Sequence, residues 1–509
     1  MRLLSTSMIL LVPLTGCYDG REEPPFPNLV SAAGSDGSEG AGADGSEGVG
    51  ESGDGAAGES SGDGEALTAG ESSGEGETGV DEEASTGATS GFGELDAEEV
   101  CARCGCIQWS ATVASEAVLD ASLTALPDGG ALTATVTGAG LTLQRFGPDG
   151  AIAWTRAFSG AVKNAQAVAI GEEFIVVAGT LGTGLVLDPD NAVMLVSAGG
   201  EDGFVALLSD SSEGGVSWAA AFGDAADQRV GAVAVTGCSE GLTGCRIQLA
   251  GVHGGQLGVG PASDGGTYLF HSVLDAFVWD PAAAQTWRRA TTPAGDEVPT
   301  LASAPDGTVT LIGTVRDADA GDVIARRIGP DEQELWSVRL EAPGEQAANA
   351  AAHAGDRLWL AGYAYGQADL GAGPFGVGDE GTAFIAGIDA DGAVVVSRAV
   401  SGRLPGREAL ATTAAGTVVV TGFTNADIDL GGGVLEYAGG RDVLLGRFDA
   451  AGGYRCGALY GDGKVQEGLA AASAGGRSFV LARVAGAIDF GDGERSAPGE
   501  SVVLAAFAE

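Results

Sequence analysis

A short apolar strand that ends in a small residue and a glycine recurs along this chain, and it constrains the fold more than any other feature. Its clearest copy is Val418-Val419-Val420-Thr421-Gly422-Phe423. Related stretches are Ala131–Val136, Ile175–Thr180, Ile247–Val252, Val309–Thr314, Leu358–Tyr363 and Phe479–Val484. Successive copies start 44, 72, 62, 49, 60 and 61 residues apart. Each spans about six residues, an ordinary strand length. A unit repeated at this spacing cannot bury its apolar faces alone and must stack on its neighbours, as in a propeller, a solenoid or an array.

Each repeat carries four strand signals. The first holds an aromatic or apolar anchor: Trp109, Trp154, Trp218, Trp287 and Trp336, then Val396 and Cys456 at the same place. The second is rich in Ala and Val, as in Leu123-Thr124-Ala125-Leu126-Pro127-Asp128-Gly129. The third is the Val-rich strand. The fourth resembles Asp202-Gly203-Phe204-Val205-Ala206-Leu207-Leu208. Turns such as Pro148-Asp149-Gly150 and Pro305-Asp306-Gly307 put glycine where positive φ is wanted. The small residues that end the third strand suit a place where neighbouring sheets crowd together. Nothing reads as a long amphipathic helix, so the chain is all-β from Cys106 onward.

Four strands repeated seven times fit a seven-bladed β-propeller of about 58 residues per unit better than a sandwich. The last fourth strand, Val502–Phe507, has no successor before Glu509, and the strand around Trp109 has no predecessor. Pairing these two closes the ring at the N-terminal strand and leaves no free edge between the terminal units. Trp279 and Trp359 lie outside the anchor position and read as core.

Gly199-Gly200-Glu201-Asp202-Gly203-Phe204-Val205 and Gly439-Gly440-Arg441-Asp442-Val443, set among these strands, resemble the repeats of bacterial secreted β-propellers (SBBP-like). The resemblance covers about 400 residues. It implies architecture and says almost nothing about activity, because propellers host many functions.

Residues 1–17 read as an export signal: Arg2, then the short apolar run Leu3–Leu14, too short for a bilayer span. Leu14-Thr15-Gly16-Cys17 resembles the lipobox of bacterial lipoproteins. The resemblance implies that Cys17 is lipidated, that the mature chain is held to a membrane, and that it sits in the cell envelope, at the outer membrane or cell surface. Residues 18–100 follow, built from Gly, Ser, Glu, Asp and Ala, with 22 acidic residues against one basic, Arg21. So few large apolar side chains cannot offset the entropy of ordering, which predicts a disordered, extended acidic tether. Residues 101–509 are the propeller domain. A net charge of −45 repels nucleic acid and excludes that class of partner.

Besides Cys17 there are six cysteines: Cys101, Cys104, Cys106, Cys238, Cys245 and Cys456. An even count outside the cytoplasm favours disulfides. Cys238 and Cys245 flank a glycine-containing loop and suit a local bridge. A second bridge joins Cys456 to the 101–106 cluster, its partner there left open. The cluster could instead hold a metal, but zinc sites draw a second ligand pair, and His253, His271 and His353 lie far away in sequence. Asp369, Asp429 and Asp489 fall at equivalent places in three successive units. Carboxylates in glycine-rich loops can bind calcium, and turn aspartates that bond their own backbone have the same pattern. The serine motifs Gly58–Gly62 and Gly70–Gly74 sit in the tether without the strand and helix a nucleophile elbow needs. No cofactor motif and no convergent catalytic set appears. The sequence therefore points to a monomeric, non-enzymatic binding or scaffold module with a protein or glycan partner. A propeller enzyme with a central-channel site, quinone-dependent or polysaccharide-active, is the reading from another class.

Overall fold

The computed structural model describes residues 104–238, 244–257, 260–261, 267–276, 286–293, 299–316, 321–375, 381–404 and 408–509. The signal, Cys17, the tether, Cys101 and Trp279 lie outside the described residues.

The described chain is all-β. Val418–Thr424 and Asp442–Phe448 are buried at every position. Such strands read as continuous apolar runs because both of their faces are covered. The outer strand Glu334–Leu340 is only partly buried.

Among the described residues there are five separate four-stranded sheets, one eight-stranded sheet and three two-stranded ones, all antiparallel. The larger sheet is two four-stranded halves that share the long strand Ile152–Ile170, with an eighth strand, Val193–Val196, paired beside Phe174–Asp188. Counting the halves separately, sheet 1 holds Asp120–Ala125, Ala131–Thr137, Gly140–Phe146 and the start of Ile152–Ile170. Sheet 2 holds the rest of that strand, Phe174–Asp188, Asp202–Ser209 and Val216–Phe222. Sheet 3 runs Gln228–Thr236, Arg246–His253, Tyr268–Asp275, Thr286–Pro293. Sheet 4 runs Thr300–Ser303, Val309–Arg316, Gly321–Ile328, Glu334–Leu340. Sheet 5 runs Gln346–Ala354, Arg357–Ala364, Thr382–Ile388, Val394–Val400. Sheet 6 runs Leu410–Thr412, Val418–Thr424, Asp442–Phe448, Tyr454–Tyr460.

Sheet 7 takes strands from both ends of the domain. Its order is Val465–Ala474, Arg477–Ile488, Arg495–Ala508, and then Ile107–Ala114. Trp109 pairs with Ala506 and Ala114 with Val502, the partnership the strand count predicts.

The hydrophobic clusters lie between sheets. One joins sheets 1 and 2 through Leu143 and Leu185, another sheets 2 and 3 through Val176 and Ile247. Clusters at sheets 3–4, 4–5, 5–6 and 6–7 follow. The last contains Leu481 and Leu504 of sheet 7 with Leu123 and Phe146 of sheet 1. The first strands of consecutive sheets also neighbour one another, ending with Val465–Ala474 beside Asp120–Ala125.

Four of the anchor tryptophans stitch their own sheet to the next. The Trp109 indole N–H donates to Pro148 O at 2.9 Å, Trp218 to Ala276 O at 3.0 Å, and Trp336 to Ala390 O at 2.9 Å. Trp154 donates to Asp210 Oδ1 at 3.0 Å. In each case the acceptor lies at or beside the turn that follows the third strand of the next sheet. Where the anchor is Val396, it packs over Gly452 in the equivalent turn. Where it is Cys456, the link is covalent, to Cys104. Trp359 is fully buried core.

The glycines that end the Val-rich strands serve crowding between sheets, as expected, and also within a sheet. Between sheets, a Cβ at Gly313 would meet the Leu269 side chain, and one at Gly468 of sheet 7 would meet the backbone of Gly422 in sheet 6. Within a sheet, a Cβ at Gly179, Gly251, Gly362 or Gly422 would overlap the carbonyl of Asn164, Arg229, Ala347 or Arg403, respectively. In sheets 3 and 5 the first strand bulges at this level, between Val230 and Ala232 and between Ala348 and Ala350. A bulge drives backbone toward its partner strand, and only glycine leaves room for it.

Candidate functional site

The first strands bring polar residues together in a cavity of about 250 Å³. Its lining includes Asp120 and Ser122 from sheet 1, Gln166 from sheet 2, Thr300 from sheet 4, Glu408 just before the first strand of sheet 6, and Glu467 and Arg483 from sheet 7. Gly231 adds bare backbone from sheet 3. Six of the seven sheets thus contribute.

Glu408 is the organising group. Its backbone belongs to sheet 6, bridges to Ala470 of sheet 7, and accepts the Ala471 N–H at 2.7 Å. Its side chain crosses to the far side. Oε2 accepts the Leu123 N–H of sheet 1 at 2.6 Å, and Oε1 accepts the side-chain amide of Gln166 in sheet 2. Gln166 Oε1 in turn accepts the Val233 N–H of sheet 3 at 2.7 Å. Asp120 accepts the Ala165 N–H at 3.1 Å, another link between sheets. Glu467 is buried and ion-paired with Arg441 and with Arg483, the latter at 3.6 Å. Arg483 also meets Glu500 at 2.8 Å. Charge-assisted bonds of this kind, partly shielded from solvent, hold several sheets in one arrangement.

The cavity rim includes Leu119, which is 62% exposed. In an antiparallel sheet the first strand begins at the end where the second strand stops and the third begins. All second-to-third connections therefore lie at the rim end, and the tight first-to-second and third-to-fourth turns lie at the other. Of ten exposed large apolar residues among the described residues, Leu119, Met194, Val196, Tyr365, Val434, Tyr437 and Val465 are at the rim end. Ile152, Leu335 and Val395 are at the opposite end. A shallow depression of about 500 Å³ between Pro343, Gly344, Tyr365 and Gln367 is on the rim end as well.

The aspartates singled out as calcium candidates are not brought together. Asp369 Oδ1 accepts the N–H groups of Gly371 and Gly373 at 2.9 and 3.1 Å. Asp429 does the same with Gly431 and Gly433, and Asp489 with Gly491 and Gly493. Each closes its own glycine loop, the behaviour of a turn aspartate. The amide bonds hold the Asp429 carboxyl below the usual carboxylate value. Among the described residues no three His, Cys, Asp or Glu side chains are placed to hold a metal ion.

Cys104 bridges Cys456, and Cys238 bridges Cys245. Cys106 is disulfide-bonded too. The histidines are apart: His271 shares a hydrogen bond with Gln248 at 2.9 Å, His353 with Thr310 at 3.0 Å, and His253 with Gly255 O at 3.1 Å. Sequence reading missed Glu408, Gln166 and Glu467. Their signal was a polar side chain opening an otherwise Ala- and Val-rich strand, as in Glu408-Ala409-Leu410-Ala411.

No protein-family model matches the chain, and no curated protein does. Among solved structures it is similar to the Dos1 propeller, at 7% identity and a TM-score of 0.36 over 77% of this chain and 78% of that one. It is similar to Sqt1 from Chaetomium thermophilum at 10% identity and a TM-score of 0.38, over 80% of this chain and 99% of that one. A puromycin hydrolase S511A mutant complexed with PGG gives 14% identity and a TM-score of 0.37 over 78% of this chain. The chain spans about half, 52%, of that enzyme's length.

Proposed function

We propose that this chain is a lipid-anchored module of the cell envelope, a closed seven-bladed β-propeller that binds a protein or glycan partner at its rim end. One observation carries the binding face: the cavity lined from six sheets opens at the end that holds the long connections and, among the described residues, seven of ten exposed large apolar ones. A concave site with a few convergent polar groups is the usual mark of a binding site. The ring is supported by the cycle of cores from sheet 1 to sheet 7 and back, and by the pairing of Ile107–Ala114 with Arg495–Ala508. The envelope location is supported by the disulfides, which persist in oxidising compartments. Cys17 supplies the anchor and residues 18–100 the reach.

Site-specific photo-crosslinking in the native envelope tests the face. A crosslinker at Met194 or Tyr365 captures a discrete partner, and one at Leu335, exposed at the other end, does not. Equal capture from both ends, or capture from Leu335 alone, sinks the assignment. Labelled palmitate incorporated by wild type and not by Cys17→Ala tests the anchor.

A further inference from the structure

In three sheets the third strand carries a buried or nearly buried aspartate as its first or second residue: Asp202 in sheet 2, Asp322 in sheet 4 and Asp442 in sheet 6. Asp322 has a cationic partner, Arg339, whose Nε and Nη2 donate to Oδ2 at 2.9 and 2.5 Å. Asp202 and Asp442 are more deeply buried, each 1% exposed. Their Oδ2 atoms accept the N–H of Ala198 and of Ala438. Their Oδ1 atoms are buried, and among the described residues neither has a hydrogen-bond partner.

The group beside each orphan oxygen is another acceptor. A Cβ at Gly223 would overlap both Asp202 Oδ1 and Gln228 Oε1, and one at Gly461 both Asp442 Oδ1 and Gln466 Oε1. The two oxygens therefore converge beside a bare glycine. The glutamines cannot be turned round to offer their amide hydrogens. Gln228 Oε1 accepts the Asp224 N–H at 2.8 Å while Nε2 donates to Asp224 Oδ1 at 2.8 Å. Gln466 does the same with Asp462, at 3.2 and 2.6 Å, and also donates to Ala485 O at 3.2 Å. Two buried acceptors face to face repel and leave a costly unmet bond, unless a hydrogen lies between them.

We propose that Asp202 and Asp442 are protonated in the folded protein, each donating its Oδ1–H to the glutamine Oε1 of the next sheet, so that two equivalent proton clasps join sheets 2–3 and 6–7. Burial raises the pKa of both carboxyls, and the adjacent carboxylates Asp224 and Asp462 push the same way. Bonds to Asp202 from Ser197, Ala198 and Gly199 pull against this without cancelling it. The other charged groups nearby are engaged elsewhere. Glu201 faces Lys163 at 3.5 Å and Arg229 at 4.0 Å, and Asp227 accepts the Glu201 N–H at 3.0 Å. Arg441 pairs with Glu467 and lies over the Phe423 ring at 4.7 Å, and Arg483 is held by Glu467 and Glu500. A hard cation would need six or more oxygen ligands, waters included, and these side chains are sealed from solvent. Where Arg339 supplies positive charge in sheet 4, a proton removes negative charge in sheets 2 and 6.

The sign follows from the raised pKa. Each clasp adds stability that is fully present below the ordinary carboxylate pKa and is lost as pH rises through the folded-state value. The test is thermal unfolding of the full chain against pH for wild type, Asp202→Asn, Asp442→Asn and the double variant, with and without calcium, alongside infrared spectra of the carboxylic C=O band. Asparagine keeps a donor beside the glutamine oxygen. The double variant should therefore match wild type in acid, exceed its Tm by roughly 2–4 °C at high pH, and lose protonated-carboxyl absorption. Asparagine variants less stable than wild type at every pH, an unchanged infrared band, or a wild-type Tm raised by calcium and lowered to normal in the variants would each overturn the proposal.

Discussion

Sheets 4 and 7 have the same four-stranded layout and are held in very different ways. Sheet 4 is one uninterrupted stretch, with Glu334–Leu340 folded back through a tight turn. Its anchor Trp336 is only partly buried and stitches to Ala390. Sheet 7 receives its outer strand from the other end of the domain. There Trp109 lies between Phe146 and Phe479, with ring centroids 6.2 and 5.9 Å away. The Ser110 N–H and hydroxyl donate to the Asp492 carboxylate at 2.6 and 2.9 Å, contacts 382 residues apart in sequence. Arg495 donates to Ser110 O at 3.2 Å, and Cys104 bridges Cys456 just ahead of the strand. A turn makes its neighbour's arrival nearly certain, whereas a distant strand must overcome the entropy of closing a long loop. The extra contacts sit where that cost is largest.

Removing the most buried contact should separate the two sheets most. Trp109→Ala is expected to cost about 3–5 kcal/mol in urea unfolding, and Trp336→Ala clearly less; equal losses would show that the seam has no special reinforcement. Next comes the covalent link. Cys104→Ser is expected to cost about 2–4 kcal/mol, and Cys238→Ser less, because their bridges span 352 and 7 residues. A pH titration probes the uninterrupted side. Burial depresses the His353 pKa from 6.5 to about 4. The neutral imidazole between sheets 5 and 4 then contributes stability that is present above pH 6.5 and lost as pH falls towards 4, by about 2–3 kcal/mol. His353→Gln should flatten that part of the profile, and a slope that survives the substitution belongs to other groups. Smallest is Asp492→Asn, expected to cost about 1 kcal/mol and to speed amide exchange in Ile107–Ala114 before any other strand.

Much of this was legible because of how burial writes itself into sequence. Strands covered on both faces appear as unbroken runs such as Val418–Val420, and the tryptophans mark one position per repeat. Counting strands was enough to pair Trp109's strand with Val502–Phe507. The fusion of sheets 1 and 2 was not visible, because Ser159–Asn164 has turn-like composition yet continues as strand. The glycines of the Val-rich strands were seen, but part of their reason, a bulged neighbour, depends on pairing register. Glu408 was unreadable for a different reason. Its partners, Leu123 and Gln166, are 285 and 242 residues away, and no local pattern reports such a contact.

The Cys104–Cys456 bridge has a mechanical meaning. A pull arriving along the chain from before residue 104 meets that bridge ahead of Ile107–Ala114. Load passes through a covalent bond into Tyr454–Tyr460, a strand paired along its length with Asp442–Phe448. The edge strand that completes sheet 7 therefore does not carry it alone. Tension that would otherwise peel the sheet apart hydrogen bond by hydrogen bond is shared with a second strand at its weakest joint.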